Sequence, residues 1–242
     1  MRVLALDTTT RTGSVALVED DRVVEERSGD PSRTHAERLP GEILALATAH
    51  GLAMADVDVF AVASGPGSFT GLRVGIATIQ GLAFTTSRPL VAVSALDALA
   101  QMASVDVEAG ALVAAWMDAH RREVFAALYR VAPGPLFSPE RLMAIDGPTV
   151  GEPGATLARW AKHLAGNPTR FVGDGTAPHS RTILAAGASE KHILPMPLIA
   201  GTIGRMAVVI ARRGETSTPA AVQPLYVRRS DAEMARNRLV GR

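Results

Sequence analysis

The sequence predicts an α/β fold made of two similar subdomains, each with a mixed sheet flanked by helices. An apolar run at residues 3–7 ends in an aspartate, and after a turn a second strand follows at residues 14–18. The same order returns at residues 111–118, which also end in an aspartate and precede a strand at residues 123–129. Because both halves contain a buried strand, a terminal aspartate, a turn and a second strand, they indicate a duplicated unit of about 100 residues.

We expect the chain to divide into four segments. Residues 1–104 form the first subdomain and residues 105–196 the second. Residues 197–214 carry apolar side chains at helical spacing and end in two arginines and a glycine, which is typical of a helix C-terminus. We expect that helix to pack back on the first subdomain. The tail at residues 215–242 is rich in Thr, Pro and Ala and then becomes basic.

A helix is expected at residues 35–50. Thr34 and Glu37 have the spacing of a capping box, and apolar side chains recur on one face of the segment that follows. Pro40 conflicts with this pattern because proline lacks the N–H of an interior helical residue. We therefore expect a kink or a later start, and Gly51 as the end of the helix.

The most informative stretch is residues 59–84, VFAVASGPGSFTGLRVGIATIQGLAF. It predicts a buried strand, a turn and then a helix at residues 70–84. The turn depends on four residues with special backbone geometry, which are Gly65, Pro66, Gly67 and Gly71. The glycine spacing is not that of a dinucleotide fingerprint, and the lysine of a P-loop is missing. The turn serves either geometry alone or the binding of an anion by its backbone N–H groups.

The helix in this stretch contains Gly71, Gly75 and Gly81. Each interior glycine costs about 1 kcal/mol relative to alanine, so a compensating interaction is expected. Small residues allow another backbone to come close. Either the helix packs tightly on the chain's own sheet, or it is shared between that sheet and a second protein.

Composition excludes several classes of protein. The 242 residues include no cysteine, so disulfides, thiolate nucleophiles and cysteine-ligated zinc sites are ruled out, in keeping with a cytoplasmic location. The sequence contains no apolar run of about 18 residues and no signal-peptide pattern, so we expect no membrane association. A formal net charge of +1 argues against strong nucleic-acid binding by the chain alone.

The duplicated plan resembles the actin, sugar kinase and Hsp70 class of ATPase domains, which have a ribonuclease H-like fold. The segments that narrow this resemblance to the TsaB (YeaZ) family are LALDTTTRTGSVAL, HAERL, ASGPGSFTGLRVGIATIQGLAF, DAHRREVFAALY and PLYVRR. Together they cover nearly the whole chain, and GPGSFTGLR is the specific part.

The resemblance implies a non-catalytic subunit of the bacterial machinery that installs threonylcarbamoyl on N6 of an adenosine in tRNA. A paralogous TsaD-like subunit then carries the active site, and a TsaE-like ATPase joins the two. ATP and metal belong to these partners, and no cofactor is expected on this chain. The chain meets tRNA through the complex, and it can also associate with a second copy of itself.

Members of that family pair through helices of the N-terminal subdomain, which correspond here to residues 35–50 and 70–84. The resemblance therefore favours a helix shared with a second protein. The expected contact residues are Leu39, Ile43, Leu72, Ile76, Ile79 and Leu82.

Candidate nucleotide-binding residues follow from the same resemblance. Kinases of this fold use carboxylates at strand ends as a general base and to hold Mg²⁺, and Asp7 and Asp118 occupy such places. Thr8 and Thr9 begin a turn that could hold phosphate. An aspartate at a strand end commonly bonds only the amides of its own turn, and we expect that structural role here. Asp174, between two glycines, lies either near a nucleoside or in a plain turn.

No metal site is expected. The six histidines include no two that are four residues apart, so the HxxxH pair that the tRNA-modifying paralogues carry, by resemblance, is missing. HExxH is also missing, which removes support for a zinc protease.

Two functions of other classes stay as alternatives. One is an autonomous ATP-dependent kinase of the same fold, which would depend on Asp7. The other is a peptidase, which needs a nucleophile and a base, but Ser68 has no obvious histidine beside it.

The arginines of the tail either touch phosphate or acidic protein, or they lie in a solvated or disordered segment. We favour the solvated or disordered segment. These arginines are Arg228, Arg229, Arg236, Arg238 and Arg242.

Overall fold

Two five-stranded mixed sheets form the centre of the protein in the computed structural model, which describes residues 1–228. The strands of the first sheet are β1 (Arg2–Asp7), β2 (Ser14–Glu19), β3 (Arg22–Ser28), β4 (Val59–Gly65) and β5 (Leu90–Ser94). Their order is β3-β2-β1-β4-β5. β1 pairs antiparallel with β2 and parallel with β4.

The second sheet repeats this plan. Its strands are β6 (Leu112–Asp118), β7 (Val124–Val131), β8 (Leu142–Gly151), β9 (Thr169–Val172) and β10 (Ile193–Leu194). The order is β10-β9-β6-β7-β8, and β6 pairs antiparallel with β7 and parallel with β9. Asp7 and Asp118 are the last residues of the two corresponding central strands. The predicted duplication and the actin-like (ribonuclease H-like) fold class are confirmed.

Helices cover and separate the two sheets. In the described part of the chain they are α1 (His35–Ala49), α2 (Phe69–Thr85), α3 (Ala95–Ala103), α4 (Pro153–Leu164), α5 (Ser180–Ala185) and α6 (Ala200–Arg212). Short 3-10 turns occur at Met54–Asp56, Pro139–Arg141, Glu190–His192 and Pro219–Ala221. Within residues 1–228, each helix is too short or too polar to cross a membrane.

The core is divided among three layers of buried side chains. α1 and α2 pack on one face of the first sheet, where Leu4 and Phe60 meet Leu39 and Ile79. α3 and α6 lie between the two sheets and share one cluster with side chains from both. α4 and α5 cover the outer face of the second sheet. Successive side chains of β1 and of β6 point to opposite faces of their sheets, so each strand contributes to two of these layers, as the two-residue period of a strand requires.

α1 begins where the capping box predicts. The Glu37 carboxylate accepts hydrogen bonds from the N–H and hydroxyl of Thr34, at 2.8 and 2.7 Å. The helix begins at His35 and continues through Pro40 to Ala49, so the alternative of a delayed start is wrong, and the kink stays a prediction. Pro40 is exposed at the sixth helical position, where the loss of one N–H bond is offset by packing of the buried face.

α6 contacts β1 and β2 of the first sheet, and its N-terminus is tied to that sheet. The Ser14 hydroxyl accepts a hydrogen bond from the N–H of Ala200 at 3.1 Å, and the Glu26 carboxylate accepts one from Gly201 at 2.9 Å. These two side chains satisfy N–H groups that have no partner within the helix. The exact boundaries of the two subdomains stay predictions.

The glycines of α2 have two different environments. A Cβ at Gly71 or Gly75 would collide with the backbone oxygen or the hydroxyl of Thr8, in the turn after β1. These two glycines therefore allow close packing within the chain. Gly81 is exposed, and a Cβ added there would have no other heavy atom within 4 Å. Of the two alternatives that the sequence leaves open, the first applies to Gly71 and Gly75, while Gly81 faces outward.

The chain after α6 runs back over the first subdomain as a strap, residues 215–228. Ser217 pairs with Leu90, and the Gln80 amide donates hydrogen bonds to the backbone oxygens of Pro219 and Val222 at 2.7 and 3.0 Å. The N–H of Leu225 donates to Ser64 O at 2.7 Å.

At its end the strap reaches the second subdomain, where the Arg228 guanidinium donates to Ala119 O at 2.6 Å and also contacts Glu123. The expectation of a solvated or disordered tail is wrong for residues 215–228, because backbone and side-chain hydrogen bonds hold them in place. The other basic positions of the predicted tail lie outside the described residues, and they are Arg229, Arg236, Arg238 and Arg242.

The two glycine environments give a matched pair of substitutions. Gly75→Ala should destabilise the chain by about 1–3 kcal/mol, because the added methyl group meets Thr8. Gly81→Ala should stabilise it by about 1 kcal/mol, because alanine favours the helix and space is open. Urea unfolding of both variants measures the difference. Equal effects of the two changes would contradict the packing described here.

Candidate functional site

A cleft of about 1050 Å³ opens between the two subdomains at the carboxyl ends of β1 and β6. Its walls come from the turn after β1, the start of α1, the start of α2, the turn after β6 and the end of the strap. In sheets of this kind, ligands commonly bind at the loops that follow the carboxyl ends of the central strands.

Asp7 is buried beside this cleft and is bonded by its own turn. Its carboxylate accepts hydrogen bonds from the N–H and the hydroxyl of Thr9, at 2.8 and 2.6 Å. Loss of hydration raises the pKa of Asp7 to about 6, although the bonds from Thr9 act in the opposite direction. Thr8 is buried too, and its hydroxyl has no hydrogen-bond partner among the described residues.

Asp118 and Asp174 line the opposite wall. The Asp118 carboxylate accepts a hydrogen bond from the N–H of His120 at 2.8 Å, and the Asp174 carboxylate accepts one from the N–H of Asp118 at 2.9 Å. Burial raises the pKa of Asp174, and Asp174 contributes to the raised pKa of Asp7. The structure thus brings together the aspartates singled out in the sequence, each engaged by nearby backbone N–H groups.

The glycine turn between β4 and α2 closes over the turn after β1. Ser68 donates its N–H to Thr9 O at 2.7 Å, and its hydroxyl accepts from the N–H of Gly71 at 3.2 Å at the start of α2. Gly65 has a φ of +120°, and a Cβ there would lie 2.8 Å from Leu225 O in the strap. The residues of the glycine turn are therefore required for close contacts with the turn after β1 and with the strap. Pro66 and Gly67 also line the cleft.

Among residues 1–228, five arginines line the cleft, and of these only Arg228 is a candidate from the sequence. They are Arg11, Arg33, Arg73, Arg121 and Arg228. They come from separate turns and helix ends, so no spacing in the sequence connects them. Another arginine, Arg38, is buried behind the cleft wall and donates to the backbone oxygens of Arg11 and Thr12 and to the Glu42 carboxylate. These bonds hold the turn after β1 against α1.

No group of three or more metal-ligating side chains is arranged around a common point in residues 1–228.

The contact residues expected on α1 and α2 are mostly turned into the chain's own core. Leu39, Ile43, Leu72, Ile76 and Ile79 are at most 4% exposed, and Leu82 is partly buried. The first five side chains are covered by the chain's own core and cannot meet a partner in this structure, so their choice as contacts is corrected, while Leu82 stays a prediction. The error arose because apolar spacing identifies the face of a helix that is buried, and that face packs on the first sheet.

The opposite side of the same two helices is exposed and still poor in charge. We call it the outer face, and its residues are Glu37, Pro40, Gly41, Leu44, Ala45, Arg73, Ala77, Gly81 and Phe84. Its two charges, Glu37 and Arg73, lie near the N-terminal ends of the two helices. Leu44 and Phe84 are 65% and 77% exposed. α2 has one charged residue, Arg73, in 17 residues. A helix that remains at a surface normally carries charged or polar residues there, so this composition indicates a covered surface.

Comparison with known proteins agrees with the fold and the motifs. The family model for TsaD, tRNA N6-adenosine threonylcarbamoyltransferase, matches residues 29–196, which is more than half of the chain. The tRNA threonylcarbamoyladenosine biosynthesis protein TsaB of Bacillus subtilis is 30% identical over 76% of this chain and 75% of its own length. The TsaB protein of Escherichia coli is 36% identical over 62% of this chain, and the match spans 64% of that protein, slightly less than two thirds.

A solved structure shows the same likeness over almost the full length. It belongs to an uncharacterized protein with similarity to peptidase YeaZ from Pseudomonas aeruginosa, with 30% identity and a TM-score of 0.76. The superposition covers 94% of this chain and 99% of that one. From the duplicated sheets, the GPGSFTGLR turn and these matches, we conclude that the chain belongs to the TsaB (YeaZ) family, within the wider group described by the TsaD family model.

Proposed function

We propose that this chain is a non-catalytic, activating subunit of the machinery that installs threonylcarbamoyl on N6 of adenosine in tRNA. The names of the Bacillus subtilis and Escherichia coli relatives support a role in threonylcarbamoyladenosine biosynthesis. The subunit binds a TsaD-like transferase through the outer face of α1 and α2. A TsaE-like ATPase joins the pair, and tRNA meets the chain within that complex.

The exposed, weakly charged outer face is the main evidence for this proposal. Leu44 and Phe84 expose most of their surface on helices that are otherwise almost free of charge there. Burying such side chains against a partner gains about 25 cal/mol per Å² of apolar surface removed from water. Since the TsaD model matches this chain, a TsaD-like partner has a related fold. Two related helix pairs can then face each other across an approximate twofold axis.

In this proposal, a second copy of this chain competes with the TsaD-like partner for the outer face. A twofold dimer uses the same patch on both copies, so a homodimer and a complex with the TsaD-like chain would be mutually exclusive. We expect the heteromer to be preferred when both proteins are present. ATP and metal are assigned to the partner subunits, and this chain is placed in the cytoplasm.

The non-catalytic role is supported by how Asp7 is bound. Its carboxylate accepts two hydrogen bonds from Thr9, and Thr9 O is in turn bonded by the N–H of Ser68. These contacts use the aspartate to hold the turn after β1 against the start of α2. The raised pKa of Asp7 beside a large cleft favours the alternative, an autonomous ATP-dependent kinase with Asp7 as its general base.

Charges placed on the outer face should prevent assembly. Leu44→Asp and Phe84→Asp should each weaken binding to the TsaD-like partner by about 100-fold or more, because a carboxylate would be buried without a counter-charge. Both positions are exposed, so the isolated chain should stay folded. Met143→Asp is the matched control, since Met143 is 57% exposed on β8 of the other sheet.

Affinity is measured by calorimetry, and tRNA modification is assayed in the same mixtures. Full affinity of both outer-face variants would exclude this surface as the interface. Loss of affinity in the Met143→Asp control would mean that the effect is unspecific.

The pH dependence of stability tests the state of Asp7. Burial raises its pKa from 3.8 to about 6, so the stability that the protonated carboxyl contributes is present below pH 3.8 and is lost as the pH rises through 6. Asp7→Asn stays neutral and keeps an oxygen for the Thr9 bonds. At pH 7.5 it should therefore be more stable than the wild type, by at most about 3 kcal/mol, with a smaller difference at pH 4.5.

Urea unfolding at pH values from 4.5 to 7.5 measures this difference. A gap between variant and wild type that does not change with pH would contradict the raised pKa. The same variant should retain full modification activity in the reconstituted complex. Under the kinase alternative, the variant would instead lose both the modification activity and the Mg-ATP turnover by this chain.

A further inference from the structure

We propose that the mouth of the cleft is a direct contact site for tRNA, supplied by this chain itself. The inference rests on the proposed function, and it adds the partner and the residues that bind it. The site combines exposed arginines with an exposed aromatic pair, Phe69 and Tyr226.

Positive charge is concentrated at this place. In the described part of the chain, five arginines and two aspartates line the cleft, while the full sequence has a formal net charge of +1. Arg11 donates to Pro31 O, Arg33 to Glu37 O and Arg73 to the Tyr226 hydroxyl. Because these acceptors are carbonyl or hydroxyl oxygens, the three hydrogen bonds themselves do not neutralise the arginine charges. Arg33 also lies in the field of the Asp30 and Glu37 carboxylates, so Arg11 and Arg73 are the stronger candidates for phosphate contacts.

The aromatic pair gives the site its second feature. The rings of Phe69 and Tyr226 stack with centroids 5.0 Å apart, and the Arg73 guanidinium lies 3.9 Å from the centre of the Phe69 ring. Phe69 and Tyr226 are 37% and 42% exposed. Aromatic rings and arginine planes on which unpaired bases stack, beside cations that follow the backbone, are the usual means of binding single-stranded RNA.

A long polyanion fits this arrangement better than an enclosed mononucleotide. The N–H groups of Thr9 and Gly13, in the turn after β1, are taken by Asp7 and by the Thr10 hydroxyl. The cationic groups are instead carried by side chains from the turn after β1, the loop before α1, α2, the turn after β6 and the strap. The strap places Tyr226 in the mouth through the bond from Leu225 N to Ser64 O, so the C-terminal segment is part of the site.

Salt-dependent binding tests the proposal in the complex of this chain with its TsaD-like partner. The probe is a fluorescent substrate tRNA, titrated between 50 and 200 mM KCl, roughly the range over which phosphate contacts dominate. The double variant Arg11→Gln/Arg33→Gln should lower the slope of log K against log salt by about 0.7 for each lost contact. Arg22→Gln is the control, because Arg22 is an exposed arginine at the opposite end of the first sheet.

Tyr226 tests the stacking contribution separately. Tyr226→Leu should weaken tRNA binding about tenfold without changing the slope, and Tyr226→Phe should bind as the wild type does. Thermal unfolding of every variant verifies that the fold is kept. If Arg22→Gln weakens tRNA binding as much as the cleft variants do, the assignment of the site is wrong.

The outcomes separate this inference from the proposed function. If the cleft variants bind tRNA with wild-type affinity and slope while modification still requires this chain, the tRNA site is wrong and the subunit role stands. If ATP binds the chain in a manner that depends on Arg11 and Arg33 and tRNA binding is unaffected, the cleft is a nucleotide site and the proposal is overturned. If modification does not require the chain at all, both proposals fail.

Discussion

The close approach of α2 to the turn after β1 is the constraint on which the rest of the structure depends. Gly71 and Gly75 have no side chain to keep Thr8 away, and Ser68 fixes the start of the helix by bonding Thr9 O. This contact gives α2 three separate surfaces. Its inner face completes a core, its outer face is exposed and nearly uncharged, and its first turn enters the cleft. The GPGSFTGLR segment is thus needed for geometry that serves both proposed contact sites.

The strap connects these surfaces to the second subdomain. It bonds Ser64 at the end of β4, places Tyr226 against Phe69, and ends with Arg228 at the turn between β6 and β7. The strap and α2 are therefore the elements that connect the outer face, the cleft and the second subdomain.

The fold was predictable because it rests on local patterns that repeat. The strand ending in Asp7 and its counterpart ending in Asp118 are each a continuous apolar run followed by a turn and a second strand, so the duplication is visible without a structure. β8 escaped prediction because it is an edge strand with few buried residues and a Gly-Pro pair. The arginines of the cleft could not be grouped from sequence, since only the tertiary fold brings their turns together. Five of the contact residues expected on α1 and α2 are buried in the chain's own core, because apolar periodicity indicates which side of a helix is buried but not what covers it.

Reconstitution of tRNA modification tests the central claim most directly. The TsaD-like and TsaE-like proteins of the same organism are mixed with tRNA and threonylcarbamoyl-adenylate, with and without this chain, and the modified nucleoside is measured by mass spectrometry after digestion. We expect modification to depend on this chain, while the chain alone turns over no ATP. Equal modification in its absence would contradict the account, and the cleft beside Asp7 and Asp118 would then have to be tested for a substrate of its own.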